Sequence, residues 1–188
     1  FLMRTVEDAL RFKDRLKKND IKHAVVIGAS MAGIKVVEVL HKYGIETWLL
    51  DLASYIFPLA AYKEVAKEIE KRVEAQGVHL MFGVTIDHME QENGEKTAVL
   101  TDGSRIPADI VGLCIGTRAI TETVQGEVEI GRGIVVDDHM RTSVPGIYAA
   151  GDCCEGNNLE SGQNQIIGLW ANANHQGETA GINMAGGD

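Results

Sequence analysis

Cysteine is scarce in this chain, and no two cysteines stand at a metal-ligand spacing: Cys114, Cys153 and Cys154 form no CxxC pattern. Cys153 and Cys154 are adjacent, and a disulfide wants Cα atoms about 5.5 Å apart or more. All three are therefore read as reduced thiols of a cytoplasmic protein, with a redox role for Cys153 or Cys154 as the alternative. The histidines, His23, His41, His79, His88, His139 and His175, are scattered without metal spacing, so no metal is expected. No apolar run approaches the roughly 18 residues of a membrane span. The opening Phe1-Leu2-Met3-Arg4 leads into a charged helix, which is no signal peptide. A basic face is missing as well. The net charge is −9, and residues 119–188 carry only Arg132 and Arg141 against ten acids. Residues 1–22 are locally basic, with seven Lys/Arg against four acids, and read as the solvated face of a helix. Neither a nucleic acid nor a membrane is expected as a partner. There is no repeat of solenoid period.

What is present is a globular composition, 45% hydrophobic and 24% charged, over 188 residues, enough for one domain or one and a half. A first residue of Phe suggests a piece of a longer protein. Thr5-Val6-Glu7-Asp8 reads as a helix start, a Thr cap with an acid three residues on, and Val6, Ala9, Leu10 and Leu16 continue a helical stripe. His23–Ile27 is a short apolar strand that runs into Gly28. Met31–Tyr43 is a helix stopped by Gly44, and residues 45–50 form a second strand ending in Asp51. The order is strand, glycine turn, helix, strand: a βαβ unit. A further helix is expected over Leu59–Gln76, then strands at 78–82 and 84–89. Asn93-Gly94 marks a type I′ hairpin. The chain returns over 96–101, and a buried strand at 108–115 ends at Gly116. Beyond Thr117 the sequence turns acidic and glycine-rich. Short strands are expected at 133–137 and 146–150, a loop at 155–168 and a last helix from Leu169 to Met184.

The chemistry concentrates in three places. In Gly28-Ala29-Ser30-Met31-Ala32-Gly33, the first glycine permits a tight turn out of the strand and the last permits close helix–strand packing. Ser30 is small enough to let backbone approach a pyrophosphate. The following helix offers free N–H groups and its positive dipole end to phosphates. Asp51 follows Gly28 by 23 residues, at the end of the next strand. A carboxylate there accepts a hydrogen bond from an adenosine ribose 2′-hydroxyl and repels a 2′-phosphate, and Leu52-Ala53-Ser54 supplies no Arg to reward that phosphate. The plainer alternative is an acid that caps a strand. The second place is the apolar strand ending at Gly116, and the third is Gly146-Ile-Tyr-Ala-Ala-Gly151-Asp152, which sets a carboxylate at the end of a strand.

These motifs, in this order and spacing, resemble the FAD-dependent pyridine nucleotide-disulfide oxidoreductases. Within that family the chain looks most like the branch of NADH oxidases, coenzyme A-disulfide reductases and the large subunit of NADH-dependent nitrite reductase. The resemblance covers nearly the whole chain and implies an α/β fold: a Rossmann-like NAD(H)-binding domain with a parallel sheet and a β-meander over residues 1–119, introduced by a linker helix, and the C-terminal half of an FAD-binding domain over 120–188. It implies NAD and FAD as cofactors, and a homodimeric parent protein. Gly28, Ser30, Met31, Ala32, Gly33, Lys35, Asp51 and Gly116 would lie on the NAD side, and Gly151, Asp152, Trp170 and Ala171 on the flavin side, with Asp152 on the ribityl chain. Met31 is otherwise read as packing, and His175 lies near the flavin helix. Three parts of the family pattern are absent: the first FAD fingerprint, the redox cysteine and the dimerisation domain. Lys35 stands where the family usually has Glu, and Ala119 where many relatives have Pro. The implied activity is hydride transfer from NADH to FAD and electrons onward to an unidentified acceptor, with no catalytic acid or nucleophile in this chain and FAD held only together with the missing N-terminal half. The alternatives are a non-catalytic NAD-binding sensor or docking module, and a reductase for a rubredoxin or ferredoxin.

Overall fold

The structure, a computed structural model, describes every residue except Leu59, Gln125, Glu160 and Asp188. The chain divides into two compact units, Phe1–Gly116 and Thr117–Asp188, so the division falls three residues before the expected boundary.

The first unit opens with α1 (Val6–Leu16), and Thr5 caps it as its sequence suggests. The Thr5 hydroxyl accepts the Asp8 N–H at 3.1 Å, and the Asp8 carboxylate accepts the Thr5 N–H at 3.0 Å. Together they satisfy two donors that every helix start leaves open. The Thr5 N–H and then the Arg11 guanidinium hold the Asp8 carboxyl below its ordinary value. That contribution is present at neutral pH and lost as pH falls through the depressed value. Phe12 and Leu16 turn inward from this helix.

β1 (His23–Ile27), α2 (Met31–Lys42), β2 (Glu46–Asp51), α3 (Lys63–Glu74) and β3 (His79–Phe82) then follow. Next come β4 (Ile86–Glu92), β5 (Glu95–Leu100), β6 (Arg105–Pro107) and β7 (Ile110–Leu113). β3, β2, β1 and β7 lie side by side in that order as a parallel sheet. β4, β5 and β6 form an antiparallel meander. The two faces of the parallel sheet serve different layers, because strand side chains alternate. Ala24, Val26 and Leu49 join the helices in one core, and Val25 and Leu50 join Ala98, Leu100 and Ile106 of the meander in another. With both faces covered, β1 and β2 read as near-continuous apolar runs. Asn93 and Gly94 both adopt positive φ, +51° and +88°, the type I′ geometry of the expected hairpin.

The second unit contains β8 (Ile134–Val135), β9 (Cys154–Asn158), β10 (Gln163–Gln165) and α4 (Trp170–Met184). β9 lies between a parallel β8 and an antiparallel β10. Its core gathers Val128, Ile134, Val136, Met140, Ala149, Cys154 and Ala180.

Several expectations need correction. Within the loop expected at 155–168, β9 and β10 pair as antiparallel strands, whose polar Asn and Gln residues pair through backbone and carry no alternating signal, while residues 166–168 are irregular as expected. The strand expected at 146–150 reduces to one bridge, Arg141 with Tyr148. β6 was not expected. α3 starts at Lys63, beyond Pro58. Ala60 and Ala61 instead donate to the Phe57 carbonyl at 2.9 Å each, in a turn, and the expected helix start at Leu59 lies outside the described residues. None of the described helices is long and apolar enough to cross a membrane.

Because Thr5 closes the capping box, Thr5→Ala is expected to lower unfolding free energy by about 1 kcal/mol in urea denaturation at neutral pH.

Candidate functional site

The carboxyl ends of β1, β2 and β7 surround a cavity of about 670 Å³ in the first unit. Gly28, Ser30, Met31, Ala32, Asp51 and Gly116 line it, together with Leu52, Phe57, Pro58, Thr85 and Cys114. Six of the eight residues expected on the NAD side are thus brought together.

Backbone crowds closely around the glycines at 28 and 33. Gly28 has φ +104°, and a Cβ on it would fall on the Cys114 carbonyl. A Cβ on Gly33 would fall on the Gly28 carbonyl. The start of α2 is thereby pressed against the end of β1. Gly33 supports the cavity from behind and does not line it.

Ser30 does more than leave room. Its hydroxyl donates to the Cys114 carbonyl at 3.3 Å and accepts the Gly33 N–H at 3.4 Å, so its side chain caps α2. The next groups up the turn are left open. Among the described residues, the backbone N–H groups of Ser30, Met31 and Ala32 have no protein acceptor. Three open donors at a helix N-terminus, with no acid in its first turn, form a site for an anion. These residues fit a pyrophosphate.

Asp51 is the one charged residue among the described residues that line the cavity. One carboxylate oxygen accepts the Ala29 N–H at 2.6 Å and the other the Ala53 N–H at 2.8 Å. Both readings of Asp51 therefore have a physical basis: it fastens backbone at the strand end, and each oxygen keeps a further lone pair for a ligand hydroxyl.

Lys35 is placed differently. Its side chain is 72% exposed on α2, outside the cavity lining, and its ammonium lies 2.6 Å from Glu38. Lys42 reaches the same carboxylate, also at 2.6 Å, and the hydrogen bonds from Lys35 and then Lys42 pull the Glu38 carboxyl down to about 2. A Glu at position 35 would instead face Glu38 one turn away, so the lysine suits its own helix.

In the second unit Gly151 has φ +85° and donates its N–H to the Gln176 side-chain oxygen at 2.8 Å. A Cβ there would stand 3.4 Å from that of Ala173, so Gly151 seats the turn against α4. Asp152 beside it is exposed. Trp170 and Ala171 open α4, which has no side-chain cap, and Trp170 is 84% exposed. The N–H groups of Trp170, Ala171 and Asn172 have no acceptor among the described residues. An exposed carboxylate and an open helix N-terminus fit the ribityl hydroxyls and the polar ring edge of a flavin. His175 is exposed on the same helix.

Sequence reasoning missed Phe57, Pro58 and Thr85 in the cavity. No periodicity marks them, because they sit in connections. It also missed Glu155, a buried acid whose carboxylate accepts the Arg132 N–H at 2.5 Å and the Gly133 N–H at 3.1 Å.

Burial raises the Cys114 thiol, and burial and then the neighbouring Cys153 push Cys154 up to about 11. Cys153 is half-buried, with its thiol donating to the Ala150 carbonyl. Raising a thiol from its ordinary value to about 11 lowers its thiolate fraction near pH 8 by roughly a hundredfold. Iodoacetamide at pH 8 should therefore label Cys153 at least about tenfold faster than Cys114 or Cys154 in the folded chain, and all three alike in denaturant.

Comparison with known proteins gives concordant findings. The family described as pyridine nucleotide-disulphide oxidoreductase matches residues 1–177. An NADH oxidase of Streptococcus pyogenes is 30% identical over 178 residues, 93% of this chain and 38% of that protein. A ferredoxin reductase from Rhodopseudomonas palustris superposes with a TM-score of 0.90 at 26% identity, covering 100% of this chain and 46% of that one. The water-forming NADH oxidase of Lactobacillus brevis bound to NADH gives 0.88 at 29% identity, covering 97% and 40%. A form of it engineered into an NADPH oxidase gives 0.87 at 27%, with the same coverage. The chain spans about two fifths of the length of the curated relatives it matches.

Proposed function

The chain belongs to the pyridine nucleotide-disulphide oxidoreductase family, and from that premise we propose that it is the NADH-binding portion of a flavoprotein oxidoreductase that passes hydride from NADH to FAD and electrons onward to an acceptor. The first unit is the NAD(H)-binding domain, and the second is the C-terminal half of an FAD-binding domain. The observation that carries the reading is the open turn of Ser30, Met31 and Ala32, whose three N–H groups have no acceptor among the described residues, together with the Asp51 carboxylate in the same cavity lining. The turn donates to the pyrophosphate, and Asp51 accepts from the adenosine ribose 2′-hydroxyl. Apolar Leu52, Phe57 and Pro58 exclude water beside it. In the second unit Asp152 takes the ribityl chain, and the open end of α4 faces the ring. When bound, the flavin supplies the hydride acceptor and the onward relay of electrons. The relatives reported above carry the names of enzymes, and nothing among them favours a non-catalytic sensor. A cytoplasmic location and a homodimeric parent belong to the same proposal.

Calorimetric titration of the chain with NADH and NADPH tests the reading. NADH should bind more tightly by about 1–3 kcal/mol, roughly ten- to a hundredfold, because Asp51 opposes a 2′-phosphate. Failure to bind either nucleotide would sink the assignment of the turn.

The engineered NADPH oxidase sharpens this. Its substitutions remove an aspartate and place arginine at the next residue and at a proline seven positions on, and they also replace a glycine 18 positions before the aspartate. Gly33, Asp51, Leu52 and Pro58 have the same spacing here. Combining Asp51→Ala, Leu52→Arg and Pro58→Arg should shift the NADPH-to-NADH affinity ratio by roughly a hundredfold or more toward NADPH, since two guanidiniums then meet the phosphate.

The 188-residue chain alone should be colourless after purification. It holds one phosphate-cradling glycine turn, and Gly28–Gly33 cannot serve two dinucleotides. Losing an ADP anchor removes several charge-assisted hydrogen bonds of about 1.5–3 kcal/mol each. Stoichiometric yellow flavin in the purified chain would contradict the half-site assignment.

A further inference from the structure

The buried residue Ala29 sits in the glycine turn, and the peptide groups on its two sides are both held by one connection. Its N–H donates to Asp51 at 2.6 Å, and its carbonyl accepts the Phe57 N–H at 2.9 Å. The ends of the connection are secured separately. Asp51 is oriented by the Ala53 N–H, and buried Ile56 donates to the Glu70 carboxylate of α3 at 3.0 Å. Phe57 has φ +55°, a left-handed conformation that is uncommon for an aromatic residue. Such a conformation persists only where its surroundings over-determine it. Here the Ala29 carbonyl takes its N–H, and the Ala60 and Ala61 N–H groups bind its carbonyl.

The consequence lies in the peptide planes. The Ala29 carbonyl and the Ser30 N–H belong to one rigid trans unit and point to opposite sides of it. A bond from Phe57 to that carbonyl aims the Ser30 N–H away from the connection. The Asp51 bond fixes the preceding plane, between Gly28 and Ala29, in the same way. Building on the nucleotide reading above, we propose that Asp51 and Phe57 are positioning residues, which hold the phosphate-receiving turn in its binding shape before any nucleotide arrives. Asp51 thus acts on the pyrophosphate through the turn as well as on the ribose directly.

The test is a comparison of two ligands and an amide. If Asp51 served the ribose alone, its removal would leave binding of an NADH analogue lacking the adenosine 2′-hydroxyl unchanged. In Asp51→Ala, the 2′-deoxy analogue should lose about tenfold in affinity, and NADH at least as much. Without any nucleotide, exchange of the Ala29 amide hydrogen, followed by NMR, should accelerate by about tenfold or more. Phe57→Gly keeps the N–H and favours positive φ, so Ala29 exchange in it should stay within about threefold of the parent, and faster exchange would overturn the backbone role of Phe57. Should Asp51→Ala not fold, Asp51→Asn carries the same readouts, because one of its two backbone donors must lose its acceptor. Unchanged analogue binding or an unchanged Ala29 amide in the Asp51 variant would overturn the role of Asp51. If the parent chain binds neither nucleotide, the nucleotide reading fails, and the exchange arm still tells whether Asp51 holds the turn.

Discussion

The close approach of three backbone segments at the end of β1 governs the first unit. The Gly28 carbonyl lies against the first turn of α2, and the Cys114 carbonyl lies against Gly28. A Cβ enters neither gap without moving the carbonyl it would meet. This packing places the helix start at the strand ends, and leaves the N–H groups of Ser30, Met31 and Ala32 without a protein acceptor among the described residues. A methyl group at 28 or 33 would require the neighbouring backbone to shift. The stability of the sheet and the shape of the anion site are therefore one requirement.

The rest of the unit is arranged to make that approach possible. The parallel sheet is covered on one face by helices and on the other by the meander, so successive residues of β1 and β2 enter different cores. A one-residue slip of β1 would exchange those two sets of side chains, and it would also carry Gly28 out of register with Cys114. Burial on both faces thus fixes where the turn falls. The meander does part of this work from a distance: by covering Val25 and Leu50 it removes the freedom of the strands to slide.

Much of this was legible in the sequence, for reasons that can be named. The α1 cap, the glycine turn and the Asn93-Gly94 hairpin follow from local rules about hydroxyl caps, positive φ and turn residues, while the meander came from the family resemblance and its third strand, β6, was missed. Family resemblance supplied the placement of Asp152, Trp170 and Ala171 on one unit. The β9–β10 hairpin was not legible, because Asn157, Asn158, Asn164 and Gln165 pair by backbone and their side chains carry no apolar pattern. Phe57 and Pro58 escaped for a related reason: a residue in a connection lines a cavity by virtue of tertiary hydrogen bonds, and those leave no period. Lys35 shows the opposite limit. Its family position pointed toward the nucleotide, while its helix neighbours Glu38 and Lys42 supplied a local partner three residues away.

Asp51 joins these levels, and its two roles constrain each other. A carboxylate that only recognised a ribose could be replaced without disturbing the protein around it. Here both oxygens already accept backbone N–H groups, one from the phosphate turn and one from its own loop. Oxygen acceptors are what those donors require, and an unpaired amide in a part-buried position costs free energy whether or not a nucleotide is present. Discrimination against a 2′-phosphate then arises from a charge that the fold has reason to keep. A shift of preference toward NADPH consequently has to supply two things, cations near the phosphate and some other means of holding the Ala29 peptide. Phe57 holds the next peptide, between Ala29 and Ser30, and because the following Pro58 favours extended backbone at residue 57, its φ of +55° rests on its hydrogen bonds.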